Sequence, residues 1–477
     1  MPARQVLIVH GWSDTSESLR ELAAFLGAHG YDAKELWLGD YISMDDDVRV
    51  ADVGKRMAEV IDAMIAAGDL EARFDMIVHS TGGLVAREWL TTRYRSAAET
   101  CPMKRLVMLA PANYGSKLAA MGKSFLGRVV KGYNSWFHTG ASMLNDLELA
   151  SPYQWELAQR DVVVAPGGGD ARYYGADRVW PFVIVGTHPY AGLLRQIVNE
   201  AGGDGTVRAC AANLNAQGVT IDFSRPEEPP VLSAWRSRLE CEVPLAVLPT
   251  RTHASIVDPD RASPANRESI AETAAEQAQL GALILEALQC MDFNGYRDIR
   301  SKWDQLTEQT AQRRDSPGAD AEALFHQYMQ ANFYVVDDHG QPVNDYFLEF
   351  LSDTAESYTE ANVYLHAQVI KDVSVNSQIA ASRNVYFDRT HLMDGYYRRL
   401  PAGADPVLCL SISAAAPGAN IRYFKRESEG AKGQVPVHME HDATRRWLKR
   451  NSTHFVQIVI PRMPDRSVFK LSRFAAK

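Results

Sequence analysis

Cysteine is scarce. Cys101, Cys210, Cys241, Cys290 and Cys409 are the only five in 477 residues, scattered and odd in number. No CxxC pair and no His/Cys cluster at metal-ligand spacing stands out, which excludes a disulfide-built miniprotein and leaves reduced thiols as the plain reading. Long apolar runs are also missing, since no stretch approaches the roughly 18 residues of a membrane span. The chain starts Met1-Pro2-Ala3-Arg4, and the apolar run Val6-Leu7-Ile8-Val9 soon gives way to glycine and polar residues. That is no signal-peptide core with a cleavage site, so a cytoplasmic protein is expected, with signal-independent export left open. Basic charge is short as well. Fifty Lys and Arg against 59 Asp and Glu give a net charge of -9, which argues against a protein that coats nucleic acid. What remains, 46% hydrophobic and 23% charged, is an ordinary globular composition long enough for two or three domains.

The first part alternates strand and helix patterns. Val6–Val9, Ala33–Leu38, Phe74–His79, Arg105–Leu109, Phe182–Val185 and Val243–Leu248 read as buried strands, and Ser16–Ala28, Val53–Ala67 and Gly82–Arg93 as helices between them. This rhythm predicts an α/β fold, a doubly wound and mostly parallel sheet that binds ligands at the strands' carboxyl ends. Residues 117–164 interrupt it as two or three amphipathic helices, and Ala265–Leu288 reads as a long closing helix. Residues 291–332 form a polar helical connector. From 333 to 477 short strands recur between turns, at Tyr346–Phe350, Val363–Ile370, Val385–Asp388, Leu408–Ser413, Ile421–Lys425 and Phe455–Ile460. That spacing predicts an all-β sandwich domain.

The chemistry centres on His79-Ser80-Thr81-Gly82-Gly83-Leu84, a serine between a buried strand and a helix that opens on two glycines. Such a tight turn projects the hydroxyl from the sheet edge, above the N–H groups of a helix start. A serine merely capping the helix is the plain alternative. Serine is a weak nucleophile near neutral pH and needs a base oriented by an acid, in the chain order Ser, Asp or Glu, His for this topology. Asp204, in the glycine-rich Gly202–Val207 loop, is the candidate acid, although an Asp beside Gly is ordinarily a turn residue. His253 follows the last parallel strand and is the candidate base, with His188 as competitor. The backbone N–H groups of Trp12 and Thr81 are the candidate oxyanion hole, with Gly11 letting the backbone come close. No metal and no organic cofactor is expected.

Taken together, His10-Gly11, His79–Arg87, Leu109–Ser116, Gly203–Val207 and the late His253 resemble the α/β-hydrolase family in its lipase branch, over residues 1 to about 290. The Pro111–Ser116 segment and the Gly203-Asp204-Gly205-Thr206-Val207 loop look like those of bacterial triacylglycerol lipases and lecithin:cholesterol acyltransferase-like enzymes. The resemblance implies Ser80 as nucleophile, Asp204 as acid, His253 as base, and hydrolysis of carboxylic esters, lipid esters foremost. A soluble-substrate esterase or thioesterase and a catalytically silent lipid-binding protein are the alternatives. The sequence departs from the family pattern Gly-x-Ser-x-Gly at Val78, where the first glycine would stand.

The insertion at 117–164 lies where lipases carry a lid, and Met121, Phe125, Trp136 and Phe137 are its candidate substrate contacts. A fixed cap, with these residues in the core, is the alternative. Asp337-Asp338 before Gly340 reads as a hairpin turn rather than a calcium loop. Near the end, Arg445, Arg446, Lys449 and Arg450 flank Trp447, a candidate contact with anionic lipid unless they form a solvated charged face.

Overall fold

The computed structural model describes residues 4–11, 16–36, 46–120, 140–190, 199–225, 228–260, 273–315, 320–352, 359–400, 407–423, 434–438, 448–464 and 468. In chain order its main strands begin with β1 (Arg4–Val9), β2 (Tyr31–Leu36), β3 (Phe74–His79), β4 (Met103–Leu109) and β5 (Trp180–Gly186). Next come β6 (Ala216–Asp222), β7 (Val231–Ala234) and β8 (Leu245–Leu248). The last seven are β9 (Tyr328–Asp337), β10 (Tyr346–Leu351), β11 (Ile370–Val375), β12 (Ser382–Asp388), β13 (Val407–Ala414), β14 (Gln434–His438) and β15 (Ser452–Ile460). The main helices are α1 (Ser16–Ala28), α2 (Val50–Ala67), α3 (Gly82–Arg93), α4 (Ala141–Leu147), α5 (Pro152–Asp161), α6 (Ala274–Gln289), α7 (Phe293–Gln312) and the short α8 (Ala321–Phe325). Among the described residues no helix is long and apolar enough to cross a membrane.

The expected α/β layer is present. Six strands pair in the order β8-β5-β4-β3-β1-β2, every pair parallel. β3 and β5 are buried along their whole length, as strands covered by helices on both faces must be. From β1 the chain proceeds to β2 on one side and to β3 on the other. The carboxyl ends of β1 and β3 therefore flank the crevice where strand order reverses, the place such sheets reserve for ligands. Gly11 and Ser80 stand there.

The second module is a six-stranded mixed sheet, β11-β12-β9-β15-β6-β7, and a three-stranded antiparallel sheet, β10-β13-β14. The two share one core, where Phe333 and Phe387 of the larger sheet cluster with Phe350, Leu408 and Leu410 of the smaller. Two of the larger sheet's strands, β6 and β7, come from residues 216–234, well before the expected boundary at 290. β6 runs parallel to β15 from Ala216–Thr453 to Asp222–Val459. Val219 and Ile221 of β6 pack in the second core, while Ala216 at its start packs in the first.

Three further expectations change. Residues 291–312 are no connector: α7 covers the first sheet, with Trp303 fully buried near Phe182 and Thr307 Oγ1 donating to the carbonyl of Leu245. Val363–Ile370 is no strand. Residues 360–364 are helical, started by the Thr359 side chain, and 365–369 continue as a π-turn that buries Leu365 and Val369. β-branched ends suggested a strand there, and packing of one helical face decided otherwise. Finally, the described part of the 117–164 insertion is built into the body. α5 starts on Ser151 and Pro152, and Arg87 of α3 grips Asp161 at its end with two bonds of 2.8 and 2.9 Å. Glu148 accepts from the Ser377 backbone N–H at 2.8 Å, which docks the insertion on the second module.

Candidate active site

Ser80 occupies the turn between β3 and α3 with φ +56°, a left-handed conformation that a non-glycine residue adopts only when its surroundings enforce it. Enforcement is visible. The Ser80 N–H donates to the carbonyl of Leu109, and the Ser80 carbonyl accepts from the N–H groups of Gly83 and Ala112. Val78 fits because its neighbour across the turn has no side chain. A Cβ on Gly82 would lie 2.9 Å from the carbonyl oxygen of Val9 and 3.4 Å from the Cβ of Val78. Val78 is fully buried and in parallel register with Val9 and Met108. Gly11 presses on the turn from β1, where a Cβ would stand 2.6 Å from the Cβ of Ser80.

Three side chains from separate loops meet at this turn. The Oγ of Ser80 lies 3.0 Å from Nε2 of His253, and Nδ1 of His253 lies 2.8 Å from Oδ2 of Asp204. A carboxylate only accepts, so Nδ1 carries the imidazole proton and Nε2 is left to accept from the serine hydroxyl. Asp204 is completely buried, while Ser80 and His253 are each 8% exposed: the carboxylate is sealed from water and the hydroxyl–imidazole pair is not. The other oxygen of Asp204 accepts from the N–H groups of Thr206 and Val207 at 2.9 and 2.8 Å, which locks the carboxylate plane. The His253 N–H donates to the Asp204 carbonyl, so backbone and side chain bind the same residue.

His79 had no assigned role in the sequence reading. Its Nε2 bonds the carbonyl of His253 at 3.0 Å and its ring lies 4.7 Å from that of His253, so it steadies that imidazole. The signal was its place next to Ser80. The competitor His188 bonds the carbonyl of Pro189 through Nδ1.

The acid loop leans on the second module. Arg208, fully buried, grips Glu200 on the same loop at 2.9 and 2.8 Å and reaches Asn384 and Asp372 at 2.7 and 2.9 Å. Its guanidinium lies 4.0 Å from the centre of the Tyr386 ring. The neighbouring carboxylate of Glu200 offsets the desolvation of Arg208 and keeps it protonated. Tyr386 donates to the carbonyl of Ala201, and Ser116 Oγ to that of Thr206. Asp372, Asn384 and Tyr386 lie 164–185 residues beyond their partners in the loop, and nothing in local sequence pointed to them.

Trp12, Met121, Phe125, Trp136, Phe137, Arg445 and Arg446 lie outside the described residues. Of the basic stretch, Lys449 pairs with Glu242, and Arg450 pairs with Asp304 and Glu308 on α7. Asp337 acts as a turn residue: one oxygen accepts from the N–H groups of His339 and Gln341, the other from Arg462.

Sheet order, the strained turn at Ser80 and the Ser80–His253–Asp204 chain define the class: this is an α/β-hydrolase fold with a second, mixed-sheet module. Over its length the chain is similar in structure to phospholipase PlaB from Legionella pneumophila, with 24% identity and a TM-score of 0.79, covering 100% of this chain and 97% of that one. The same protein in complex with thio-NAD gives 25% and 0.78 over the same shares. The mature lipase BlEst2 of Bacillus licheniformis covers 44% of this chain and 80% of its own at 16% identity, with a TM-score of 0.33, too low to argue from. No family model matches the chain, and no curated protein does.

Proposed function

We propose that the protein is a serine hydrolase of carboxylic esters whose substrates are lipid esters, as for a lipase or phospholipase. The observation that carries this is the hydrogen-bonded chain from Ser80 through His253 to Asp204 at the ligand crevice of an α/β-hydrolase fold. His253 takes the proton of Ser80 as its oxygen attacks the ester carbonyl. Charge then builds on the carbonyl oxygen, where the N–H groups of Thr81 and Trp12 act as donors. The leaving alcohol takes the proton back from His253, and the acyl group stays on Ser80. A water deprotonated by His253 then releases the acid, while Asp204 holds the imidazole and balances its charge.

The lipid class rests on likeness over the whole chain to a phospholipase. Met121, Phe125, Trp136 and Phe137 carry the acyl contacts in this reading. Membrane contact falls to Arg445 and Arg446, because Lys449 and Arg450 are already neutralised by acids. The test is a panel of phospholipids, acylglycerols and short dissolved esters with the wild type, Ser80→Ala and His253→Ala. Lipid turnover by the wild type alone is expected, with losses of roughly 10⁴-fold or more in both variants. A sharp preference for short dissolved esters moves the reading to an esterase. Equal turnover by all three proteins rejects the site.

A further inference from the structure

A second polar cluster forms where the end of α8, the end of β12 and the turn after it converge. One donor atom each from His326, Asp388 and His391 lies within 4.8 Å of the other two. Asp388 is fully buried. Its Oδ1 accepts from the His391 N–H at 2.9 Å, which fixes the carboxylate and leaves Oδ2 facing the two imidazoles. Oδ2 lies 2.7 Å from Nδ1 of His326 and 3.8 Å from Nε2 of His391. Nε2 of His391 also lies 3.9 Å from an oxygen of Glu322, whose other oxygen is held by Lys371.

Two of these distances point to a ligand. Separations of 3.8 and 3.9 Å are too long for hydrogen bonds. They approach the spacing of two atoms sharing one tetrahedral ion, which at bond lengths near 2.1 Å stand about 3.4 Å apart. Nδ1 of His391 is already engaged, bonded to the hydroxyl of Tyr364 at 2.7 Å. With an ion on Nε2, Nδ1 carries the proton and donates it to the Tyr364 hydroxyl, the outer-shell arrangement typical of metal-binding histidines.

We propose that His326, Asp388 and His391, with Glu322 as fourth ligand, form a binding site for a divalent transition-metal ion, zinc being the best chemical match. Two imidazoles and carboxylate oxygens suit a borderline-soft ion in a closed tetrahedral site. On binding, the proton of His326 moves from Nδ1 to Nε2, and Nδ1 takes the ion in its place.

The site is structural, and what it fixes is the acid loop. Glu322 belongs to α8, and His326 follows directly after it. The Ala323 carbonyl accepts from the Gly202 N–H at 2.9 Å, and the Leu324 carbonyl from Thr187 Oγ1 at 2.9 Å. An ion tying α8 to β12 therefore holds the loop that presents Asp204. The sequence hides the site because 62 residues separate His326 from Asp388.

The test strips the full chain of metal with a chelator and titrates it with zinc against a chromophoric competitor. Cobalt(II) serves as the spectroscopic probe. One equivalent per chain is expected, with a tetrahedral cobalt band and a higher melting temperature. His326→Gln and His391→Gln should each weaken binding at least tenfold and remove the thermal shift. Tyr364→Phe keeps every ligand and should weaken binding severalfold, which covers the case of a glutamine variant that fails to fold. Absence of a stoichiometric site, or unchanged affinity in the folded variants, overturns the proposal.

Discussion

At the residue scale, the site depends on close approach more than on any one strong interaction. Ser80 is held at a positive φ by three backbone hydrogen bonds, and Gly11 packs against it. A methyl group on Gly11 would stand 2.6 Å from the Ser80 Cβ, 2.8 Å from the carbonyl oxygen of His79 and 3.0 Å from the N of Thr81. Two of these are backbone atoms that cannot swing aside, so the turn itself must move. Gly11→Ala is expected to lower kcat by roughly 10²-fold, the order lost when reacting groups shift by about 1 Å. The melting temperature should change far less. Steady-state kinetics beside a thermal melt checks this, and unchanged kcat in a folded variant would show that the turn tolerates the displacement.

At the scale of elements, β15 is the strand on which the second module is organised. It pairs with β9 on one side and β6 on the other, so it joins late sequence to residues 216–222. His454 sits on it, fully buried, and desolvation pulls its pKa down to about 4, with Lys449 and Arg389 adding repulsion. A histidine whose folded pKa lies below its unfolded value makes the unfolded chain bind more protons between the two. Its stabilising contribution is therefore whole above about pH 6.5 and falls as pH drops toward about 4. The slope is on the order of 1 kcal/mol per pH unit. Urea unfolding at stepped pH should show this acid limb in the wild type and a shallower one in His454→Gln. Parallel limbs in the two proteins would assign the acid loss of stability to other groups.

At the scale of the whole molecule, the second module is part of the α/β body rather than an appendage. It supplies β15 as the partner of β6, and Asp372 and Asn384 as partners of Arg208. Thr453 Oγ1 donates to the carbonyl of Cys210, and Asn213 donates to that of Asn451. Lys449 and Arg450 add ion pairs to Glu242 and α7, part-exposed and worth little singly. A chain ending after residue 327 would leave Arg208 without Asp372 and Asn384, and β6 with the short β7 as its one strand neighbour. Arg208 would keep Glu200, but the second core and the β15 edge of β6 would be lost together, a loss on the scale of a domain's whole stability. Such a chain should not fold to a soluble monomer or react with a fluorophosphonate. Soluble, stoichiometrically labelled truncated protein would make the modules independent.

The sequence by itself determined what is local or periodic. The parallel strands showed as short apolar runs, the Ser80 turn as serine between strand and glycines, and Asp204 and His253 as loop residues that follow a strand. Those signals persist because burial and turn geometry act over a few residues. Only the tertiary structure decided which sheet residues 216–234 would enter, that α7 would cover the first sheet, and that Arg208 would anchor the acid loop to Asp372 and Asn384. It also brought His326 to Asp388 and His391. Each of these contacts spans tens to hundreds of residues, and no local pattern encodes a partner that only the folded chain brings near.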